Sequence, residues 1–163
     1  MPDADVFFDT SVLLYLLSAD DKKADRVEAL LQDFGHVSVQ VLNEFTAVSR
    51  GKLAMSFAEI REILTTVRAV CRIHSLTTET HDRAIEIAER YKFSVYDSVI
   101  VASAHLAGCK ILYAEDLRHL QVIEGQLTII NPFLPREPAA PRTLRSAARS
   151  ARETAPSGYC CPR

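Results

Sequence analysis

The residues of this chain best suited to chemistry are four acids that stand beside apolar segments: Asp9, Glu44, Asp97 and Asp116. Gathered in one place, four carboxylates repel one another, and their pKa values rise unless a cation compensates the charge. A site built from carboxylate oxygens, without His or Cys, favours Mg²⁺ or Mn²⁺ over zinc. Because such a cation activates water and screens the charge of a phosphate, the reaction that this cluster would serve best is phosphodiester hydrolysis.

A purely structural role is open to the same acids. Glu44 and Asp97 lie early in predicted helices, where free N–H groups and the helix dipole stabilise a carboxylate. Taken one at a time, each acid is explained as well by this role as by catalysis. The chemistry therefore depends on a fold that brings the four side chains together.

Short β-rich runs alternate with amphipathic segments before residue 135. The predicted strands are 5–8, 37–39, 71–76, 110–113 and 127–130. The predicted helices are 22–34, 40–50, a segment after Ser56, 78–91 and 94–107. This alternation favours right-handed crossovers and predicts a three-layer α/β fold, with a central, mainly parallel sheet of about five short strands. Ligands bind beyond the carboxyl ends of such strands, the edge where Asp9 and Asp116 are expected.

Single residues mark where the predicted helices begin and end. Gly35 and Gly51 are expected to end the first two helices, and Gly108 to form a left-handed cap on the last. Ser56 and Glu59 have the spacing of a capping box, which predicts the start of the third helix.

Other enzyme classes lack their signatures in this chain. The glycines are isolated, which excludes a P-loop or a dinucleotide-binding fold, because both need clustered glycines. Position 11 is Ser, where a haloacid-dehalogenase-like phosphatase needs its second Asp. No G-x-S-x-G motif is present, so the nucleophile turn of a serine hydrolase is missing as well.

Composition fits one soluble domain with a basic extension. The 163 residues are 48% hydrophobic and 25% charged, with a net charge of -2 that gives no strong overall attraction to nucleic acid. We expect a domain over 1–134 and a basic Pro/Ala/Arg-rich tail over 135–163, which is too poor in large apolar residues to fold alone. A disordered end is expected for this tail, and the alternative is a segment that folds on a partner or contacts RNA phosphates. No apolar run is long enough to cross a bilayer, and Asp3 and Asp5 are unlike a signal-peptide start, so a cytoplasmic location is expected.

Five short segments carry a family resemblance. They are 8–15 (FDTSVLLY), 43–45 (NEF), 96–98 (YDS), 112–117 (LYAEDL) and 131–133 (NPF). In this order and in these predicted elements, they resemble the PIN-domain ribonucleases, and more narrowly the VapC-like toxins of type II toxin–antitoxin systems. The resemblance covers residues 5 to about 134.

The resemblance implies a Mg²⁺- or Mn²⁺-dependent endoribonuclease with a quartet of acids. Asp9 and Asp97 would be the main metal ligands, and Glu44 would complete the first metal site or orient the water. Asp116 would bind a second metal or hold water, with Glu115 as an alternative at this position. The supporting residues implied for the site are Thr10, which would hydrogen-bond Asp9, and Ser98.

One departure from the family concerns position 114. The family carries Ser or Thr two positions before the fourth acid, whereas this chain has Ala114. The loss of a hydroxyl there removes a hydrogen-bond donor and weakens a metal site without abolishing it.

Partners follow from the same resemblance. Four basic residues near the acids are candidate contacts to RNA phosphates, although solvated surface charge explains each of them: Arg50, Lys52, Lys92 and Arg118. The resemblance further implies a homodimer and an antitoxin protein that lays a helix into a groove. Two alternatives stay open: a catalytically silent PIN-like module that binds RNA or protein, and a structural protein whose acids only cap helices.

Overall fold

A computed structural model describes residues 5–135 of the chain. The tail predicted for 135–163 lies outside these residues apart from Pro135, so its boundary, its disorder and its role stay predictions. Within the described part, no helix is long and apolar enough to span a membrane.

Residues 5–135 form one six-stranded sheet with helices between its strands. The strands are β1 (Val6–Phe8), β2 (Gly35–Ser38), β3 (Cys71–His74), β4 (Ile111–Tyr113), β5 (Val122–Ile123) and β6 (Leu127–Ile130). The helices are α1 (Thr10–Leu13), α2 (Asp21–Leu31), α3 (Val39–Gly51), α4 (Phe57–Val70), α5 (Thr78–Tyr91) and α6 (Val95–Leu106), with a 3₁₀ turn at Leu14–Leu17.

The strand order is β3-β2-β1-β4-β6-β5, and every pair is parallel except β5 with β6. The mainly parallel α/β fold predicted from the sequence is confirmed. Right-handed crossovers place helices on opposite faces for the two halves of such a sheet. The order reverses between β1 and β4, and a reversal of this kind opens a crevice at the carboxyl ends of the two strands.

Strand β5 is the sixth strand, which the sequence did not predict. It has only two residues, too few to show alternation of apolar and polar side chains. It is followed by Glu124 and Gly125, both with positive φ, in a tight turn that lets it pair antiparallel with β6.

Gly35 does not end a helix, contrary to the prediction. Helix α2 stops at Leu31, Phe34 takes the left-handed conformation with φ 60°, and Gly35 begins β2. A Cβ at Gly35 would overlap the ring of the fully buried Phe8 and come within 3.3 Å of the Val6 carbonyl oxygen. This glycine is needed for the close packing of β1 against β2.

The other predicted helix ends are confirmed. Ser56 and Glu59 form a capping box in which the Ser56 N–H donates to the Glu59 carboxylate at 2.7 Å. Gly108 follows α6 with φ 76°. Helix α5 ends at a left-handed residue that is not glycine, Lys92, with φ 61°.

Candidate active site

Asp9 lies where the strand order reverses. It follows β1 directly, after the fully buried Phe7 and Phe8, and its backbone N–H donates to the Tyr113 carbonyl at the end of β4, at 2.9 Å. Its side chain caps the N-terminus of α1 and accepts the Ser11 N–H at 2.9 Å. The carboxylate is therefore fixed at the crevice between β1 and β4, and Asp9 is only 6% exposed.

The raised pKa of Asp9 reflects its burial and two other acids nearby. Burial raises the pKa of Asp9 to about 6, although hydrogen bonds from the Ser11 hydroxyl and N–H oppose the change. The negative charges of Glu44 and Asp97 raise it further. Interactions between charges weaken with distance and are largely screened beyond about 10 Å, so the three carboxylates lie near one another.

Glu44 and Asp97 line the same depression, which has a volume of about 560 Å³. Glu44 comes from α3, which starts at the carboxyl end of β2, and accepts the Gln40 amide at 2.8 Å. Asp97 lies in the first turn of α6, where it accepts the Ser94 hydroxyl at 2.6 Å and its own N–H donates back to the Ser94 oxygen at 3.1 Å. The fold thus gathers three of the four predicted acids.

Asp116 lies in a neighbouring depression of about 330 Å³ that it lines together with Ser11, Lys52 and Glu115. It follows β4, as predicted, and its side chain is exposed. Its position near the crevice agrees with the predicted edge of the sheet, whereas a role in binding a cation stays a prediction.

Glu115 is held by other residues, which argues against it as a metal ligand. Its carboxylate accepts the Tyr15 hydroxyl and the Lys23 ammonium, each at 2.6 Å. Burial raises the pKa of Glu115, but these two hydrogen bonds outweigh it and bring the pKa below its ordinary value. Lys23 also lies over the rings of Tyr15 and Phe133, at 4.3 and 4.8 Å from their centroids. Glu115 therefore ties the end of β4 to Tyr15 and to Lys23 of α2.

The hydroxyls that support the acids differ from those predicted. Thr10 was expected to hydrogen-bond Asp9, but its buried hydroxyl makes no hydrogen bond within residues 5–135, and Ser11 supplies the contact instead. Likewise the hydroxyl on Asp97 comes from Ser94, whereas that of the fully buried Ser98 has no partner in the same range. The signals were local: an Asp two residues before a Ser, and a Ser three residues before an Asp, are both capping patterns.

Ser11 also supplies part of the hydrogen bonding that a hydroxyl at position 114 would provide. Ala114 is fully buried and brings no hydroxyl to the end of β4. The Ser11 oxygen accepts the Glu115 N–H at 3.1 Å while its hydroxyl donates to Asp9. One serine thereby links the end of β4 to the central carboxylate.

The donor set fits a divalent cation in its chemistry. Asp9, Glu44 and Asp97 take part in no ion pair within residues 5–135, although Asp9 is almost fully buried. In the same range, no three Asp, Glu, His or Cys side chains are arranged to hold a metal as they stand. We therefore expect a bound cation to require side-chain rotation, which the partly exposed Glu44 and Asp97 permit.

The four residues predicted to contact RNA differ in their exposure and in the contacts that their side chains make. Arg50 donates to the Met55 carbonyl at 2.6 Å and lies over the Phe57 ring, so its charge is partly engaged. Lys52 lines the depression that contains Asp116. Lys92 is exposed and lies two residues before Ser94, at the turn that leads into α6. Arg118 is exposed and follows Asp116 by two residues.

The fold and the site together define an α/β protein with an acidic centre where the strand order reverses. The chain belongs to the PIN-domain family, because the model of that family matches residues 6–124. The resemblance carried by the short sequence motifs is thereby confirmed.

Two solved structures share the fold. One is a chain of a toxin–antitoxin complex from Klebsiella pneumoniae, with 17% identity and a TM-score of 0.60 over 78% of this chain and 98% of that chain. The other is VapC20 of Mycobacterium tuberculosis, described as a sarcin-ricin loop cleaving toxin, with 24% identity and a TM-score of 0.54 over 68% of this chain and 89% of that one. No curated protein matches the chain in sequence.

Proposed function

We propose that this PIN-domain protein is a metal-dependent endoribonuclease and the toxin of a toxin–antitoxin module. The observation that carries the proposal is the buried Asp9 carboxylate, which shares its neighbourhood with Glu44 and Asp97 and has no ion-pair partner within residues 5–135. Like charges brought together at the ligand-binding edge of a parallel sheet are costly unless they bind a cation. Family membership and the described activity of VapC20 support RNA as the substrate.

Each acid has a distinct part in the proposed mechanism. Asp9, Asp97 and Glu44 would hold Mg²⁺ or Mn²⁺, which, when bound, lowers the pKa of water and screens the phosphate charge. Ser11 holds the Asp9 carboxylate in one orientation through its N–H and its hydroxyl. Glu44, which is partly exposed, would complete this metal site or orient the attacking water. Asp116 would act from the neighbouring depression on water or a second cation.

The test is cleavage of a single-stranded RNA by the purified chain with Mn²⁺, beside a DNA of the same sequence. Attack by water leaves a phosphate on one product and two free hydroxyls on the other, whereas attack by the RNA 2′-hydroxyl leaves a cyclic phosphate. We expect the first kind of product end, identified by mass spectrometry. RNA binding without cleavage would instead support a catalytically silent module that binds RNA. The absence of both RNA binding and RNA cleavage would overturn the ribonuclease and the RNA-binding module alike.

For the partners, we propose a protein antitoxin and a second copy of this chain. The Klebsiella neighbour was solved in a toxin–antitoxin complex, which supports an antitoxin. The depression beside Asp116 is lined in part by apolar side chains that suit an amphipathic helix: Leu14, Leu17, Val48 and Leu53. Co-expression with the protein encoded beside this chain, followed by light scattering, measures how many copies of this chain and of the antitoxin the complex contains.

Lys92 tests the proposed contact with RNA phosphates. Glycine adopts its left-handed conformation without strain, so Lys92→Gly removes the charge while it preserves the turn into α6. We expect RNA affinity to fall, and the slope of log affinity against log salt concentration to decrease by about 0.7, the value for one contact to a single strand. Fluorescence anisotropy in an Asp9→Asn background measures binding without cleavage.

The matched control for Lys92 is Arg68→Ala. Arg68 is exposed in the last turn of α4, which leads into the amino end of β3, at the edge of the sheet opposite the acids. Its removal is expected to leave the salt slope unchanged. Equal changes of slope in both variants would show a general effect of net charge and would contradict a local contact at Lys92.

A further inference from the structure

Tyr96 is the most exposed large apolar or aromatic side chain within residues 5–135, at 68%. It lines the depression that contains Glu44 and Asp97. Within the described residues its hydroxyl makes no hydrogen bond and its ring packs against no other aromatic ring. A large ring left in water beside a cluster of carboxylates serves no purpose in packing, which points to a ligand.

The backbone around Tyr96 is fixed. Ser94 and Asp97 hydrogen-bond each other in both directions across the first turn of α6, and Ser98 is fully buried beneath that turn. The neighbouring residue Val95 is also exposed, at 59%, but does not line the depression. A capped helix turn therefore places Tyr96 at the rim of the acidic site.

Two amide side chains also line the depression, and none of its lining residues is positively charged. Gln40, Asn43 and Ala47, all on α3, line it together with Tyr96, and no Lys or Arg is among its lining residues. In the proposed function the cleaved phosphate lies at the cation held by the carboxylates, and no cationic side chain lines the depression to bind a second phosphate, so the part of a nucleic acid that suits the remaining volume beside Tyr96 is a base. An amide offers both a donor and an acceptor to the edge of a base, and Asn43 is exposed.

We propose that the depression is a nucleotide subsite in which Tyr96 stacks on one unpaired base next to the cleaved phosphate, with the Asn43 amide at the edge of that base. The proposal rests on the proposed function and deepens it, because it specifies unpaired RNA and one nucleotide position. Stacking on an aromatic ring tolerates any base, whereas the amide introduces a preference. The volume of about 560 Å³ lies in the usual range for a small-molecule site.

The experiment uses short single-stranded RNAs in which 2-aminopurine replaces one base at a time. Binding to the Asp9→Asn protein is compared with binding when Tyr96→Ala, Tyr96→Phe or Val95→Ala is added. We expect fluorescence quenching at one position only, lost in Tyr96→Ala, together with a rise in Kd of about 5- to 150-fold. Tyr96→Phe keeps the ring and is expected to bind within about twofold of Tyr96, and Val95→Ala likewise.

The outcomes separate this inference from the function on which it rests. Unchanged affinity and quenching in Tyr96→Ala, while the unmodified protein cleaves RNA, would overturn the subsite alone. An equal loss in Tyr96→Phe and Tyr96→Ala would also overturn it, since the hydroxyl rather than the ring would then make the contact. Absence of both RNA cleavage by the unmodified protein and RNA binding by Asp9→Asn would overturn the proposed function as well.

Discussion

The Asp9→Asn variant is expected to lose RNA cleavage by at least about 100-fold, and yet to be more stable than the unmodified protein at pH 7.5. Asparagine has the same shape and still accepts the Ser11 N–H, so the start of α1 remains capped. It has no negative charge to hold a cation. Loss of activity together with a gain in stability is typical of a functional residue that the fold tolerates at a cost.

The sign and size of the stability change follow from the pKa of Asp9. Its value in the folded protein is about 6, against an ordinary value of 3.8. At a pH well below 3.8 the carboxyl is protonated in both folded and unfolded chains, so its ionisation costs the folded state nothing. As the pH rises through 6, ionisation of the buried group reduces the free energy of unfolding by roughly 2 to 3 kcal/mol. Asparagine removes this cost, so we expect a gain of that order at pH 7.5 and almost none at about pH 3, which is below both pKa values.

Urea denaturation in EDTA at the two pH values measures the effect. Asp116→Asn is the control, because its exposed side chain is expected to change stability by no more than about 0.5 kcal/mol at either pH. A loss of stability in Asp9→Asn at pH 7.5 would contradict the prediction. It would favour the alternative in which the acids serve only as helix caps.

The sheet and the position of the acids were predictable because both depend on local patterns. Alternating apolar and amphipathic segments reveal parallel strands, and Asp9 and Asp116 follow strands whose carboxyl ends share an edge. The helix at Thr10–Leu13 was not predicted, since four residues are too few to show helical periodicity. Gly35 was predicted to end a helix, but its role depends on Phe8, which is distant in sequence and adjacent only in the folded sheet.

The surroundings of the acids were less predictable than the acids themselves. Lys23 and Tyr15 hold Glu115 across 92 and 100 residues, a pairing that no local pattern indicates. The supporting hydroxyls are a different case. Ser11 and Ser94 fit capping patterns in the sequence, whereas the family resemblance implied Thr10 and Ser98 as the supporting residues. A resemblance identifies acids well and their hydrogen-bond donors poorly, because different neighbours supply the same contact.

Removal of divalent cations is expected to abolish cleavage, and their return to stabilise the fold. A cation offsets the repulsion that Glu44 and Asp97 exert on Asp9, so it binds the folded chain and not the unfolded one. At 100 times its dissociation constant, Mn²⁺ is expected to raise the free energy of unfolding by about 2.7 kcal/mol, which is several degrees in Tm for a domain of this size. Thermal melts in EDTA and in millimolar Mn²⁺ measure the shift.

Matched substitutions decide which acids bind the cation. Asp9→Asn and Glu44→Gln each remove one charge from the shared neighbourhood, and both are expected to lose the Mn²⁺-dependent rise in Tm. Asp116 lines the other depression, so Asp116→Asn is expected to retain most of the rise even where its cleavage is slower. If all three variants kept the full rise, the cation would bind elsewhere. If Asp116→Asn lost it as completely as Asp9→Asn, all four predicted acids would act on one cation, and the two depressions would form a single site when it is bound.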